Sequence, residues 1–161
     1  MDFEKKYKHI GNSYASVPAG WKPIVKKALI DIEKLMWPRW MPMFLKRWIH
    51  WLATGGSVVR IKYWWAYNLR TKITGGATIR DIKEKYATLR IDGSFTHKMG
   101  EIVERAEKEC KETCQDCGSK DSVECVEDWG WWSRGWWSRY CKTCRDHPRF
   151  APTREVLVEK V

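Results

Sequence analysis

Three features of the sequence predict an α+β protein. Apolar residues recur at helical spacing through 22–73 and again through 96–112, a short alternating segment lies near 88–92, and two CxxC pairs bracket a hairpin pattern near the C-terminal end. The expected architecture is a helix-dominated N-terminal part packed on a small cysteine-rich module. Its expected boundaries are a polar arm at 1–20, a helical part at 21–112 with a short strand near 88–92, a cysteine module at 113–148 and a tail at 149–161, all in one compact unit. The 161 residues include twelve tryptophans, and large aromatics supply enough burial to build a small core despite the high charge content.

The first helix is expected over about 22–36, where Pro23 suits the first turn and Ile24, Ala28, Ile32, Leu35 and Met36 form an apolar stripe. "WPRWMP" then interrupts the pattern. In the next segment Met41, Phe44, Leu45, Trp48, Ile49 and Leu52 form a wide stripe, with Lys46, Arg47 and His50 opposite. Such a helix could lie in a membrane interface; the reading adopted here is that its stripe forms core against its neighbours. Residues 57–73 fit either a strand or a helix, and their length favours the helix. On that helix Arg60, Tyr63, Trp64, Tyr67 and Arg70 share the outer face, mixing aromatic rings with positive charge.

Thr78, with Asp81 three residues on, resembles a capping box and predicts a short helix to about Tyr86. "ATLRIDG" follows as a strand with Leu89 and Ile91 on one face. Thr96 opens the last helix, whose buried side is expected to hold Met99, Ile102, Val103, Ala106 and Cys110.

The cysteines carry the clearest chemistry. Cys114-x2-Cys117 and Cys141-x2-Cys144 are separated by 23 residues. A two-residue spacer lets both thiolates of one knuckle bind a single ion, and Gly118 can relieve the turn after the first knuckle. Four thiolates around a tetrahedral Zn2+ leave no open position, so the expected metal is structural and the module a zinc ribbon. Cys110 and Cys125 read as plain buried residues, and His147 as a spare ligand that two complete knuckles make unnecessary. Within the ribbon, "GWWSRGWWSR" at 130–139 reads as a hairpin with Ser133-Arg134-Gly135 as its loop, pairing Trp132 with Trp136 and leaving Arg134 at an exposed tip.

The same segments resemble a known family. "GWKPIV", "IKEKYATLRI" at 82–91, "IVERAEKECKETCQDCG" at 102–118 and a Trp-rich stretch before "YCKTC" follow the order of motifs in a family of small, mostly uncharacterised bacteriophage and prophage proteins. Their pattern is roughly GW-x-P, then KEK[FY]GGLR, then two CxxC knuckles. Ala87-Thr88 stands where many members have Gly-Gly, and the Trp-rich segment 40–73 looks like an insertion. The resemblance implies a phage or prophage origin and a zinc-ribbon-like tail.

The formal net charge is +10, which favours an anionic partner. Neither a secretory signal nor an apolar run long enough to span a membrane is visible, so the expected compartment is the cytoplasm of the bacterial host. The chain has no phosphate loop, HExxH helix, GxSxG elbow or zinc-deaminase pattern. Binding is therefore favoured over catalysis. The expected partner is nucleic acid, contacted by Arg60, Tyr63, Trp64, Tyr67 and Arg70 with Arg134 and Arg139 of the ribbon. The alternative partner is a host enzyme or antiviral defence complex that the protein would inhibit.

Overall fold

The computed structural model describes residues 17–54, 63–128 and 136–146. A 3-10 turn, Ala19–Trp21, leads into α1 (Lys22–Met36), then α2 (Met43–Thr54), α3 (Trp64–Thr74), β1 (Thr78–Lys85), β2 (Thr88–Ser94), α4 (His97–Lys111), β3 (Glu124–Asp128), β4 (Trp136–Tyr140) and the single turn α5 (Lys142–Arg145). The two sheets are antiparallel hairpins, β1–β2 and β3–β4. This is the α+β arrangement expected from the sequence.

α1 has the expected boundaries. Pro23 occupies its first turn, and Val25, Ala28, Leu29, Ile32 and Met36 are buried. α4 places Met99, Val103, Ala106 and Cys110 inward, as its periodicity implied, with Ile102 at the margin. These two helices, the inner faces of β1 and β2 and Ile49 of α2 enclose the main core, centred on Trp21, Ile32, Trp37, Ile82 and Leu89. A second, much smaller cluster lies in the cysteine module and consists of Cys114, Val126, Tyr140 and Cys141 with Val123 and Cys144 at its edge.

The segment 78–86, expected as a capped helix, is strand β1. A bulge between Ile79 and Asp81 shifts its register against β2, so the two core residues, Ile79 and Ile82, stand three apart instead of two. The Thr78–Asp81 pair that resembles a capping box thus lies in a strand, and the bulge hides the alternation that would have marked it as one. β1 and β2 are joined by the two-residue loop Tyr86–Ala87, with φ of 52° and 55°. Positive φ at both central positions is what a type I′ hairpin turn requires and what β-carbons disfavour. Tyr86 is largely exposed, so Tyr86→Asn relieves the turn without opening the core. It is expected to raise stability by about 0.5–1 kcal/mol, measured by denaturant unfolding at unchanged m.

α2 differs most from expectation. Ile49 and Leu52 are buried, but Phe44, Trp48 and Trp51 are exposed at 73%, 50% and 59%. Lys46, expected on the solvated face, is turned inward and its Nζ donates to Glu33 Oε1 of α1 at 2.6 Å, with both residues buried. An ion pair taken out of water gives little net stability but fixes orientation, because the unpaired alternative is costly. It therefore sets the rotation of α2 about its axis. α3 shows the same inversion. Arg70 is 5% exposed, its Nη2 donating to Ala77 O at 3.0 Å, while Trp64, Trp65 and Tyr67 face outward. Arg70 is thus not a member of the outer aromatic face to which the sequence pattern assigned it. The expectation that the α2 stripe is core holds for Met41, Leu45, Ile49 and Leu52 and is corrected for Phe44 and Trp48, which face outward.

Candidate metal centre

The first knuckle begins where α4 ends. Cys114 N–H donates to Ser119 O at 2.8 Å and Gly118 N–H to Cys114 O at 3.1 Å, closing a tight turn around the Cys114–Cys117 pair. Gly118 has φ of 78°, the left-handed conformation that a residue without a β-carbon adopts freely. The second knuckle forms at the end of β4, where Cys141 caps α5 and Arg145 N–H donates to Cys141 O at 2.9 Å. The β3–β4 ladder joins the two halves, and Gln115 N–H donates to Arg139 O at 2.9 Å across them.

The sulfur atoms of Cys114, Cys117, Cys141 and Cys144 all lie within 4.8 Å of one another. Cys117 and Cys141 sulfurs are 3.6 Å apart, too far for a disulfide bond of about 2.05 Å. That separation suits a shared ion, since four thiolates at about 2.3 Å from a tetrahedral metal sit about 3.8 Å apart. Cys114 and Cys141 are buried, Cys144 is half-buried and Cys117 lies at the surface. The four cysteines singled out by spacing are the four the fold brings together into a metal-binding site.

The electrostatics of the cluster call for a cation. Burial opposes ionisation of Cys114, but the N–H groups of Cys117, Cys141 and Asp116 donate to its sulfur and bring the thiol from 9.0 down to about 7. Burial, then the neighbouring sulfurs and the Cys114 charge, push Cys144 the other way. The knuckle favours the Cys114 thiolate, whose charge opposes ionisation of Cys144, so a positive ion between the two would favour both thiolates. Cys110, four residues before the first ligand, is held as a thiol by burial, which pushes it up to about 12. Cys125 is exposed and not the buried strand residue expected, because β3 turns it to the outer side opposite Arg139.

Gly20 and Trp21 also build this centre, and cysteine spacing alone did not point to them. Gly20 N–H donates to Gln115 O at 2.7 Å. A β-carbon on Gly20 would lie 2.1 Å from Cys114 O and 2.6 Å from Gly118 N, so the knuckle rests directly on the glycine backbone. Trp21, fully buried, donates its indole N–H to Thr113 O at 2.8 Å. The available signal was the Gly-Trp-x-Pro string in front of α1, whose glycine and tryptophan meet the chain 92 or more residues later.

The remaining expected contact residues are scattered. Trp64 and Tyr67 are exposed, and Tyr63 is half-buried. Arg139 is half-buried and donates from Nε to Ala87 O at 2.9 Å, tying the β1–β2 turn to the ribbon instead of reaching into solvent. Arg60, Arg134 and His147 lie outside the described residues, as do the 133–135 loop and Trp132. The ribbon hairpin is present, but its register pairs Trp136 with Asp128 and Trp137 with Glu127. The expected Trp132–Trp136 pairing lies outside the described residues; Trp136 itself pairs with β3, for which "SVECVED" supplies the strand. Trp137 stands 40% exposed on the outer side of β4.

No protein-family model matches the chain, and no curated protein or solved structure matches it either. Among the described residues, no helix is long and apolar enough to cross a membrane.

Proposed function

We propose that this chain is a phage-type, zinc-stapled binding protein that engages nucleic acid as an accessory or regulatory factor. The ion is Zn2+, because an all-thiolate tetrahedral set built from two knuckles is the usual structural site of that metal in a reducing compartment. It serves as a staple, not a reaction centre, since four protein ligands fill its coordination shell. One zinc per chain by elemental analysis, with the visible absorption of tetrahedral thiolate coordination after cobalt exchange, is the expected result.

The observation that carries the nucleic-acid reading is where the charge sits. Residues 1–77 hold 14 Lys and Arg against 4 Asp and Glu, whereas residues 78–161 hold 16 of each. From Lys34 to Arg80 there are nine basic residues and no carboxylate. The whole excess of positive charge therefore belongs to residues 1–77, and the remainder of the chain is neutral. A polyanion neutralised by several of these side chains releases counterions, so affinity falls steeply with salt. Filter binding across about 50–200 mM salt is expected to show a loss of about tenfold or more. Salt-independent binding, or none, would remove the reading.

The second reading, an inhibitor of a host enzyme or antiviral defence complex, draws on the exposed tryptophans and Arg47, the side-chain types that most often anchor protein interfaces. A stoichiometric host protein that survives nuclease treatment of the lysate, with no direct nucleic-acid binding, is the outcome that would favour it.

A further inference from the structure

We infer that the outer face of α2 and α3 is a stacking platform for unpaired bases, so that the ligand is single-stranded nucleic acid. This rests on the nucleic-acid reading above and assigns it a surface and a strand type.

The face is formed by Phe44, Trp48, Trp51, Trp64 and Trp65, which are 47–73% exposed. Water-facing rings in such number are costly to leave uncovered, and contiguous exposed apolar surface marks an interaction site. Two buried cations hold the rings there. Lys46 against Glu33 fixes the rotation of α2, and Arg70 under Ala77 O anchors α3. The two helices pack side by side, and Trp48 of one meets Trp65 of the other with centroids 6.0 Å apart and planes tilted by 54°. The exposed aromatic surface is therefore continuous across both helices.

The sorting of side chains decides what the face is for. On α2 the aliphatic Ile49 and Leu52 are buried, and the exposed apolar side chains are all rings. On α3 the rings Trp64, Trp65 and Tyr67 are again outside, with Leu69, at 38%, the one aliphatic exception. The hydrocarbon of a bilayer accepts Leu and Ile as readily as rings, whereas protein interfaces share the preference for Trp and Arg and are told apart by the charge beside the rings. Stacking on bases requires flat π faces, and each base offers one whatever its identity. Arg47 lies within the ring ladder, and Arg39 and Lys72 are exposed beside it. With no carboxylate between Glu33 and Asp81, the face carries only the charge a phosphate backbone needs.

Spacing argues for a strand that is not part of a duplex. Phe44, Trp48 and Trp51 recur every four and three residues, or about 6 and 4.5 Å along the helix axis. That is wider than the roughly 3.4 Å between nucleotides of a B-form strand. Bases can follow this ladder only when unstacked from one another.

The test uses the full-length, metal-loaded chain, with a thymidine homopolymer, a duplex of equal length, and vesicles of anionic phospholipid as probes. Tryptophan fluorescence is expected to quench on the homopolymer. The variant Phe44→Ala/Trp51→Ala should lose about tenfold or more in single-strand affinity while its salt slope stays unchanged. Arg47→Gln should instead lower the salt slope by about one. All three positions are exposed, and unchanged metal content and circular dichroism verify the fold. Equal, salt-dependent binding of single strand and duplex that the ring variant leaves intact would keep the nucleic-acid reading and overturn this one. Absence of binding to either nucleic acid would overturn both. Quenching only on vesicles, abolished in the ring variant, would make the face a membrane surface.

Discussion

Stripping a bound metal, by chelation or by Cys114→Ser, is expected to unfold residues 113–128 and 136–146 and to lower the stability of the helical part as well. The ribbon cannot hold itself together. Among the described residues its apolar cluster is four buried residues, two of which are candidate metal ligands, far below what a self-sufficient core needs. Structural zinc contributes about 10–16 kcal/mol in small peptides, so loss of an ion held in the same way would remove the main reason for the ribbon to order. The effect spreads because Gly20 N–H and the Trp21 indole both donate to backbone carbonyls at the knuckle, at Gln115 and Thr113. Without the knuckle two buried donors lose their partners, at about 1–3 kcal/mol each. Hydrogen exchange on the apo and holo chains would show this: protection should fall across β3, β4 and residues 19–22 together. Apo protein with native protection at Trp21 would separate the two parts and refute the coupling.

Gly20→Ala is the second large expected effect, and it acts from the opposite side. The new methyl would sit 2.1 Å from Cys114 O and 2.6 Å from Gly118 N. Both neighbours are backbone of the ligand turn, so no side-chain rotation relieves the overlap. Either the 3-10 turn lifts off α4 or the knuckle opens. The expected cost is about 4 kcal/mol or more, the range reserved for named steric and packing failures. Metal affinity should fall in parallel, by tenfold or more where each 1.4 kcal/mol is about a factor of ten. Competition with a chromophoric chelator measures the second quantity and calorimetric unfolding the first. Unchanged metal affinity in the Gly20→Ala variant would mean that the knuckle does not rest on this glycine.

How legible the molecule was depends on the kind of contact. α1 and α4 were readable because each buries one continuous stripe, Val25 to Met36 and Met99 to Cys110, against the same core. The metal site was readable because CxxC spacing is a local constraint that survives any surrounding fold. β1 was misread because Thr78 and Asp81 resemble a helix cap, while a bulge that sets Ile79 and Ile82 three apart hides the strand alternation. The orientation of α2 was hidden because its pattern holds two apolar sets, aromatic and aliphatic, on adjacent arcs. Only the buried partner of Lys46, thirteen residues away on another helix, decides which set faces inward. Arg70 and Arg139 were assigned to solvent for the same reason: their acceptors, Ala77 O and Ala87 O, are backbone carbonyls that carry no sequence signal. The seam between Gly20 and the knuckle joins residues more than ninety apart, which no window of the sequence spans.

The uneven distribution of charge has a consequence for how the protein meets its target. With an excess of ten positive charges in residues 1–77 and none in the remainder, the segment that carries the charge is the one a polyanion would attract, over a Debye length of about 10 Å at moderate ionic strength. Adding salt should slow arrival more than it speeds departure, a kinetic signature that uniform basicity would show less strongly.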